Sequence, residues 1–534
     1  MTAVHFRRSC CEEAASIGAE RGGDHAGQQN VVSEFGNHFN NAVFSKNREF
    51  LPMKTVKTIT ILLLFLTAPL LLMAGENQPL YNLTVNIEPD AGSISVRGTV
   101  DVLPADPAAS TFKFDLHETM AINRLLVNGK EASITYGPMQ AQLPFPATRG
   151  VIVTLPAGTS KGPIHMEIEY DGRMKVLPEF GATEDMSHSL DDQVNARMVE
   201  LAGYSSWYPQ LSFGKRLHVE LTVSLPQNWI TVCSGKKLEE RIENGRVVTR
   251  WSSPSDGDIV ILGSRDYKKK SFEGAGFHID VYYTQMPAQF IDSDGTQIVN
   301  SLKLYSDLLG NTTVPGGTVK HVFSPKRKGQ GKAGFAQPGL IVTSQGLTLE
   351  GLAQDPKFSL FQGVAHEVAH YWWNFGYGQG DWINEAFAEY FSAVAMQKLS
   401  SDQEFRAIMA DYRHQVSELP ADAPPLATVP IWTDFVVRYY KGAVMLDTLR
   451  QTMGDEKFFQ ASREFFQTYT GKPTGTVEFR SFWKAKLGAQ GSMIDAWMDS
   501  TGGVPKVTVH PPASKDRLTR KSGIAGPWPC GPCS

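Results

Sequence analysis

The pentapeptide His366-Glu367-Val368-Ala369-His370 constrains this chain more than any other stretch. On a helix, positions i and i+4 share one face, so both imidazoles can reach one metal ion. Glu367 projects from the same turn and is placed to take a proton from water acidified by that metal. This is the arrangement zinc hydrolases use. The bland alternative is a polar helix face that happens to carry two histidines. The flanking residues argue against it. Phe361, Val364, Val368, Tyr371 and Trp372 would bury this helix in a core, where two histidines need a reason to be present. Asp355-Pro356 reads as its N-cap and first helical residue, and Gly376 as its stop.

A third ligand is expected from a neighbouring element. Asp381 reads as the N-cap of a second apolar helix that begins Trp382-Ile383-Asn384-Glu385-Ala386-Phe387-Ala388-Glu389. Glu385 and Glu389 are one turn apart, so both can face the first helix. Here the sequence resembles the aminopeptidase N family of gluzincin zinc peptidases, which share a thermolysin-like catalytic domain. The carriers of the likeness are HEVAHYWW and WINEAFAEY. The resemblance implies Zn2+ bound by His366, His370 and the Glu of the Asn-Glu-Ala step, Glu385. The spacing departs from the family: fourteen residues separate His370 from Glu385, and eighteen, the family's usual count, separate it from Glu389. Glu385 is preferred on the local motif, with Gly376 to Gly380 able to close a shorter connection. Glu389 then orients a ligand histidine; the alternative is that Glu389 is itself the ligand.

Two more segments carry the likeness. Gly334-Phe335-Ala336-Gln337-Pro338 stands where the family has Gly-x-Met-Glu-Asn, whose Glu pairs with the free α-amino group of the substrate. This chain has Gln337, which brings no charge. Residues 334–342 read as an edge-like strand, along which a peptide backbone could pair, with Gly334 and Gln337 as substrate-binding residues. Further on, Tyr439-Tyr440-Lys441-Gly442-Ala443 resembles the family's Tyr-x-Lys-Gly-Ala helix. The matching Tyr439 would stabilise an oxyanion; the bland reading is a packing tyrosine. Trp497 to Pro505 resembles the segment that closes the family's catalytic domain.

The rest of the chain frames these motifs. Residues 1–52 read as a disordered or non-native extension. Met53 to Lys57, an apolar run from Ile59 to Ala74 and a small-residue exit read as a signal peptide at 53–74. That run is short for a membrane span, and an uncleaved anchor is the second choice. Of five cysteines, only Cys233 falls in the expected folded body, so no disulfide framework is expected. Cys530-Gly531-Pro532-Cys533 has no helix after it to serve as a redox motif, and 509–534 reads as a loose tail. A net charge of −4 leaves no nucleic-acid footprint.

From Tyr81 to Tyr267 the signal is β. Tyr81–Ile87, Ser93–Val102 and Leu217–Val223 alternate, and Ile259–Leu262 is a short buried run. Trp207-Tyr208-Pro209 is similar to an aromatic-Pro step in the family's N-terminal β-domain. A strand at 278–283, a helix at 296–309 and a strand at 318–323 follow, then a basic loop from Lys326 to Lys332, and helices at 458–469 and 477–487. The expectation is an α+β multidomain protein: an antiparallel β-sandwich at 79–267, then a mainly helical thermolysin-like catalytic domain at 268–508. It would be an exported zinc metallopeptidase, aminopeptidase-like, acting on peptides. The alternatives are an endopeptidase or hydrolase of N-blocked substrates, because of Gln337, and a non-catalytic secreted binding protein on a peptidase fold. Membrane contact would come only through an uncleaved signal segment.

Overall fold

The computed structural model describes residues 78–506 apart from 105, 107, 141–146, 157, 160–161, 175–191, 212–215, 315–316, 327–333, 357, 376–379, 431–433 and 473. The expected leader, tail, Gly376 stop and most of the basic loop lie outside the described residues.

Alternation produces the first strands. Leu80–Glu88 buries Tyr81, Leu83, Val85 and Ile87, and Ser93–Val102 buries Ile94, Val96 and Val100. They lie inside an eight-stranded sheet in which all pairs are antiparallel except Leu80–Glu88 against Leu217–Pro226. Thr111–His117, Thr148–Thr154 and Ser133–Gln140 form a three-stranded sheet that shares its core. Trp207-Tyr208-Pro209 is pinned inside. Trp207 Nε1 donates to the Ile259 carbonyl at 3.1 Å, Tyr208 donates to Asp258 at 2.8 Å, and Tyr81 donates to the Pro209 carbonyl at 2.8 Å.

A four-stranded sheet follows, made of Ile230–Cys233, Ile261–Ser264, Val199–Leu201 and Gln193–Val194. Ile259 to Leu262 are all buried as expected, but the strand starts only at Ile261. The Asp258 carboxylate takes the Ile259 and Gly203 N–H groups, both at 2.7 Å, and this holds the preceding residues out of the ladder.

The third large sheet carries the site. Its order is Lys268–Gly274, Phe277–Tyr283, Thr318–Ser324, Leu340–Ser344, Gly334–Gln337. The three middle strands are parallel and the outer two antiparallel. The single strand expected at 334–342 is therefore a hairpin. Pro338-Gly339 makes the turn, and Gly339 has φ 75°, a conformation that favours glycine. Gly334 pairs with Thr343 and Gln337 with Leu340. Alternation then splits the edge strand. Phe335 packs with Leu340, Val342, Tyr204 and Val260 towards the four-stranded sheet, and Gln337 shares that face. Gly334 and Ala336 face the helices, as Ile341 and Phe323 do.

Helix Ala288–Leu309 begins eight residues before the expected start. Asp292-Ser293-Asp294-Gly295 reads as a loop locally, yet Gly295 lets the helix lie against Phe272, whose ring carbon is 2.3 Å from where a Cβ would stand. Packing overrides propensity here. Asp355-Pro356 is not a helix start but a helix stop. Helix Gln345–Gln354 is capped by the Ser344 hydroxyl and ends before Pro356, which disfavours helical backbone at the residue preceding it. The HExxH helix runs only from Phe361 to Ala369, with Leu360 in the N-cap position, and Ser359 Oγ accepts the Phe361 N–H at 3.1 Å. The second helix is Asp381–Leu399. Gly380 occupies its N-cap position, and Asp381 is the first helical residue, drawn off by Arg438. Among the described residues, no helix is long and apolar enough to cross a membrane.

Candidate metal centre

Two helices present the expected ligands, and buried side chains lock them together. Tyr305 shares its hydroxyl between the carbonyls of Ala365 and Phe391, 3.0 Å from each. Asn384 accepts the Phe375 N–H at 2.9 Å, tying the chain that leaves the first helix to the second. Trp373 stacks on Phe387 with centroids 4.1 Å apart.

His366, His370 and Glu385 each contribute one ligand atom to a group spanning at most 4.8 Å. The two Nε2 atoms are 3.2 Å apart, and Glu385 Oε2 lies 3.4 Å from one and 3.6 Å from the other. The outer nitrogens fix the tautomers. His370 Nδ1 is 3.1 Å from the Trp373 carbonyl, which can only accept, so Nδ1 donates. His366 Nδ1 is 2.7 Å from Glu389 Oε2 and donates likewise. When both rings are neutral, as metal binding requires, these contacts aim two lone pairs at each other and at a carboxylate oxygen. Glu385 Oε2 is buried and has no hydrogen-bond partner. Acceptors converging this closely need a positive charge among them, a proton on His366 or a cation. Two imidazoles and one carboxylate are a donor set that suits Zn2+.

The electrostatics agree. Burial works against a charged His366, yet the Glu385 and Glu389 carboxylates hold its pKa well above the ordinary value. Burial also opposes a charged Glu385, but His366, His370 and Arg438 keep it below the ordinary carboxylate range. The spot attracts positive charge, and a metal supplies it.

The structure places Glu389 outside the converging set. It accepts from His366 on one oxygen and from the Tyr412 hydroxyl on the other. Glu367 Oε1 lies 3.3 Å from where a Cβ on Gly334 would stand, so the carboxylate faces the edge strand and the glycine leaves room for it. Gln337 is elsewhere. It is buried on the opposite face, with its Oε1 against Gly257 and without a partner. Tyr439 sits in a π-helical turn, Val436–Lys441, ahead of helix Gly442–Met453. Its ring lies parallel to His366 at 5.7 Å and stacks on Phe435 at 4.1 Å. Burial, then the Glu385 charge, pushes its pKa well above the ordinary value, so the phenol keeps its proton and can donate.

Sequence reasoning missed several supports. Arg438 is buried in an ion pair with Asp381 and lies 3.7 Å from Glu385 Oε1. Asp381 and Glu385 stand one turn apart on an apolar helix, and such a pair signals a buried cation. Lys441 donates to the carbonyls of Ser500 at 2.7 Å and Gly502 at 2.8 Å, so the Tyr-x-Lys-Gly step anchors the closing segment. Gly442 is required because Ala386 Cβ is 2.3 Å from where its own Cβ would be.

Residues 337–500 match the model of the peptidase family M1 domain. The expected resemblance to the aminopeptidase N family holds. Within the match lie both helices that carry the ligands, the tyrosine turn and the first residues of the closing segment. Aminopeptidase N of Lactococcus lactis subsp. lactis is 24% identical over 158 residues, 26% of this chain. Glutamyl aminopeptidase of Rattus norvegicus is 27% identical over 172 residues, 30% of this chain. The aligned parts span 18% of the length of each of these relatives. The M1 zinc metallopeptidase of Deinococcus radiodurans superposes with a TM-score of 0.63 at 19% identity, over 81% of this chain and 97% of that one. A variant of it bound to Tyr-Ser-Ala gives 0.62 at 19%, over 81% and 96%. This fixes the fold, a β-rich N-terminal part before a mainly helical one.

Proposed function

We propose that this chain hydrolyses peptide bonds, with Zn2+ held by His366, His370 and Glu385. One observation carries the reading: three largely shielded acceptors converge while Glu367, on the same turn as His366, faces a sheet edge on which a peptide can lie. Bound zinc supplies a Lewis acid that acidifies water and polarises a carbonyl. Glu367 then accepts the water proton and passes it to the leaving amine. Tyr439 donates to the oxyanion that forms. The edge strand Gly334–Gln337 offers backbone groups to align the substrate. The aminopeptidases among the relatives, and the neighbour that holds a tripeptide, support an aminopeptidase-like peptide substrate.

A second reading, cleavage of N-blocked or internal bonds, is favoured by Gln337, which is neutral and turned away from Glu367. Replacing Glu367 with Gln should lower turnover by about 10³-fold, the middle of the range for a general base, while zinc content stays at that of the native chain. Appreciable turnover by zinc-loaded Glu367→Gln would remove that residue from the chemistry.

The run from Met53 to Ala74 supports export, and the division at residues 267 and 268 marks where the sandwich gives way to the catalytic part. N-terminal sequencing of the natural product near Gly75 tests the first.

A further inference from the structure

Helix Asp402–Ser417 carries none of the three ligands, yet one of its side chains closes a circuit of hydrogen bonds around His366. Ser401 caps the helix, accepting the Glu404 N–H at 3.2 Å, and Met409, Tyr412 and Val416 form its buried face at helical spacing. Tyr412 is 4% exposed. Its hydroxyl donates to Glu389 Oε1, and its oxygen accepts from Gln362 Nε2 at 2.6 Å. The other Glu389 oxygen takes the His366 Nδ1–H at 2.7 Å. Gln362 lies one turn before His366 on the HExxH helix, so both stand on one face. The contacts run from His366 to Glu389, Tyr412 and Gln362, crossing three helices and returning to the first.

Each member has a role set by its chemistry. A carboxylate only accepts, an amide nitrogen only donates, and a phenol does both. Tyr412 is therefore the member able to stand between the other two. Its ring is held as well, lying on Tyr440 with centroids 4.3 Å and planes 12° apart. Tyr440 belongs to the π-helical turn that also carries Tyr439. With both oxygens engaged, Glu389 has a fixed carboxylate plane, and the direction of the His366 ring follows from it.

We infer that Tyr412 is a positioning residue of the zinc site: it holds the Glu389 carboxylate, which holds His366 with Nε2 aimed at the metal position. The same bond draws charge from Glu389 and so weakens it as an acceptor. That loss is about 10–30% of one hydrogen bond. A slack orienting group costs about 10–100-fold in metal affinity, so positioning dominates.

The inference rests on the zinc peptidase reading, and the test separates the two. Zinc affinity of the full chain is measured by chelator competition for the native protein, Tyr412→Phe, Glu389→Gln and the double variant. Tyr412→Phe keeps the stacked ring and should lose about tenfold. Because the tyrosine acts through Glu389, the double variant should lose no more than Glu389→Gln alone, within about twofold. Losses that multiply in the double variant, or native affinity in Tyr412→Phe, overturn the inference and leave the phenol a packing group. If Tyr412→Phe does not fold, Gln362→Met takes its place in the same cycle. It removes the amide that holds the phenol oxygen and should give a smaller loss, again absorbed by Glu389→Gln; multiplied losses there overturn the inference equally. Peptide hydrolysis at saturating zinc is followed in parallel. Coupled zinc losses in a series whose native member cleaves no peptide leave the role of Tyr412 standing and overturn the peptidase reading instead.

Discussion

A fully buried histidine and a largely shielded pair in the catalytic half look alike in the sequence and differ in what surrounds them. His321, on strand Thr318–Ser324, is fully buried, with Nδ1 2.8 Å from Asp294 and Nε2 2.8 Å from Thr343 Oγ1. Both nitrogens are satisfied and nothing further can bind. His366 and His370 have only their Nδ1 atoms satisfied, by Glu389 and the Trp373 carbonyl. Their Nε2 atoms meet each other and an unpartnered carboxylate oxygen. A histidine with two protein partners is part of the packing. A pair that leaves converging lone pairs is a ligand set, because burying such acceptors without a cation is costly.

The largest expected difference is between deleting one histidine of each kind. His370→Ala should drop zinc content to near zero and lower activity by more than about 10³-fold, as loss of the metal removes its chemistry. His321→Ala should keep one zinc per folded chain yet unfold at lower denaturant, by about 2–4 kcal/mol, since Asp294 is left buried without a donor. Metal analysis and urea melts on both variants would break the comparison if His321→Ala stayed folded but lost its metal. Next in size is Tyr439→Phe. It should lower kcat by about 10²-fold with zinc affinity unchanged, as expected for one donor to an oxyanion. A loss of metal instead would make the tyrosine a support for its stacked neighbour, His366. Glu389→Gln weakens the acceptor behind His366 and should lower zinc affinity by about 10–100-fold in chelator competition. An affinity as low as that of Glu385→Gln would make the two carboxylates equivalent. The smallest effect is expected at Gly334→Ala. The added methyl meets the Val342 carbonyl at 3.0 Å and Glu367 Oε1 at 3.3 Å, so the strand or the carboxylate must give by a few tenths of an ångström, and about a tenfold fall in kcat/KM should follow.

Much of this site was legible. The i, i+4 histidines, the base between them and the carboxylates one turn apart follow from helical periodicity alone. So do the alternating strands at Leu80–Glu88, Ser93–Val102 and Leu217–Pro226. The misreadings share one cause. Asp355-Pro356 can end a helix as well as begin one, and only the Ser344 cap upstream decides which. Asp381 can cap a helix or pair with an arginine, and Arg438, distant in sequence, decides that. Residues 334–342 can be one strand or two, and the pairing of Gly334 with Thr343 decides the hairpin.

By itself, the sequence determined the start of the metal site: helical spacing is a local property, and it puts the two histidines and the base on one turn. Only the tertiary structure decided which carboxylate meets the histidines, which face of the edge strand Gln337 occupies, and that Tyr412 holds Glu389. Those outcomes depend on charges and strand registers brought together from distant parts of the chain, where the cost of leaving a buried polar group unpaired selects one arrangement.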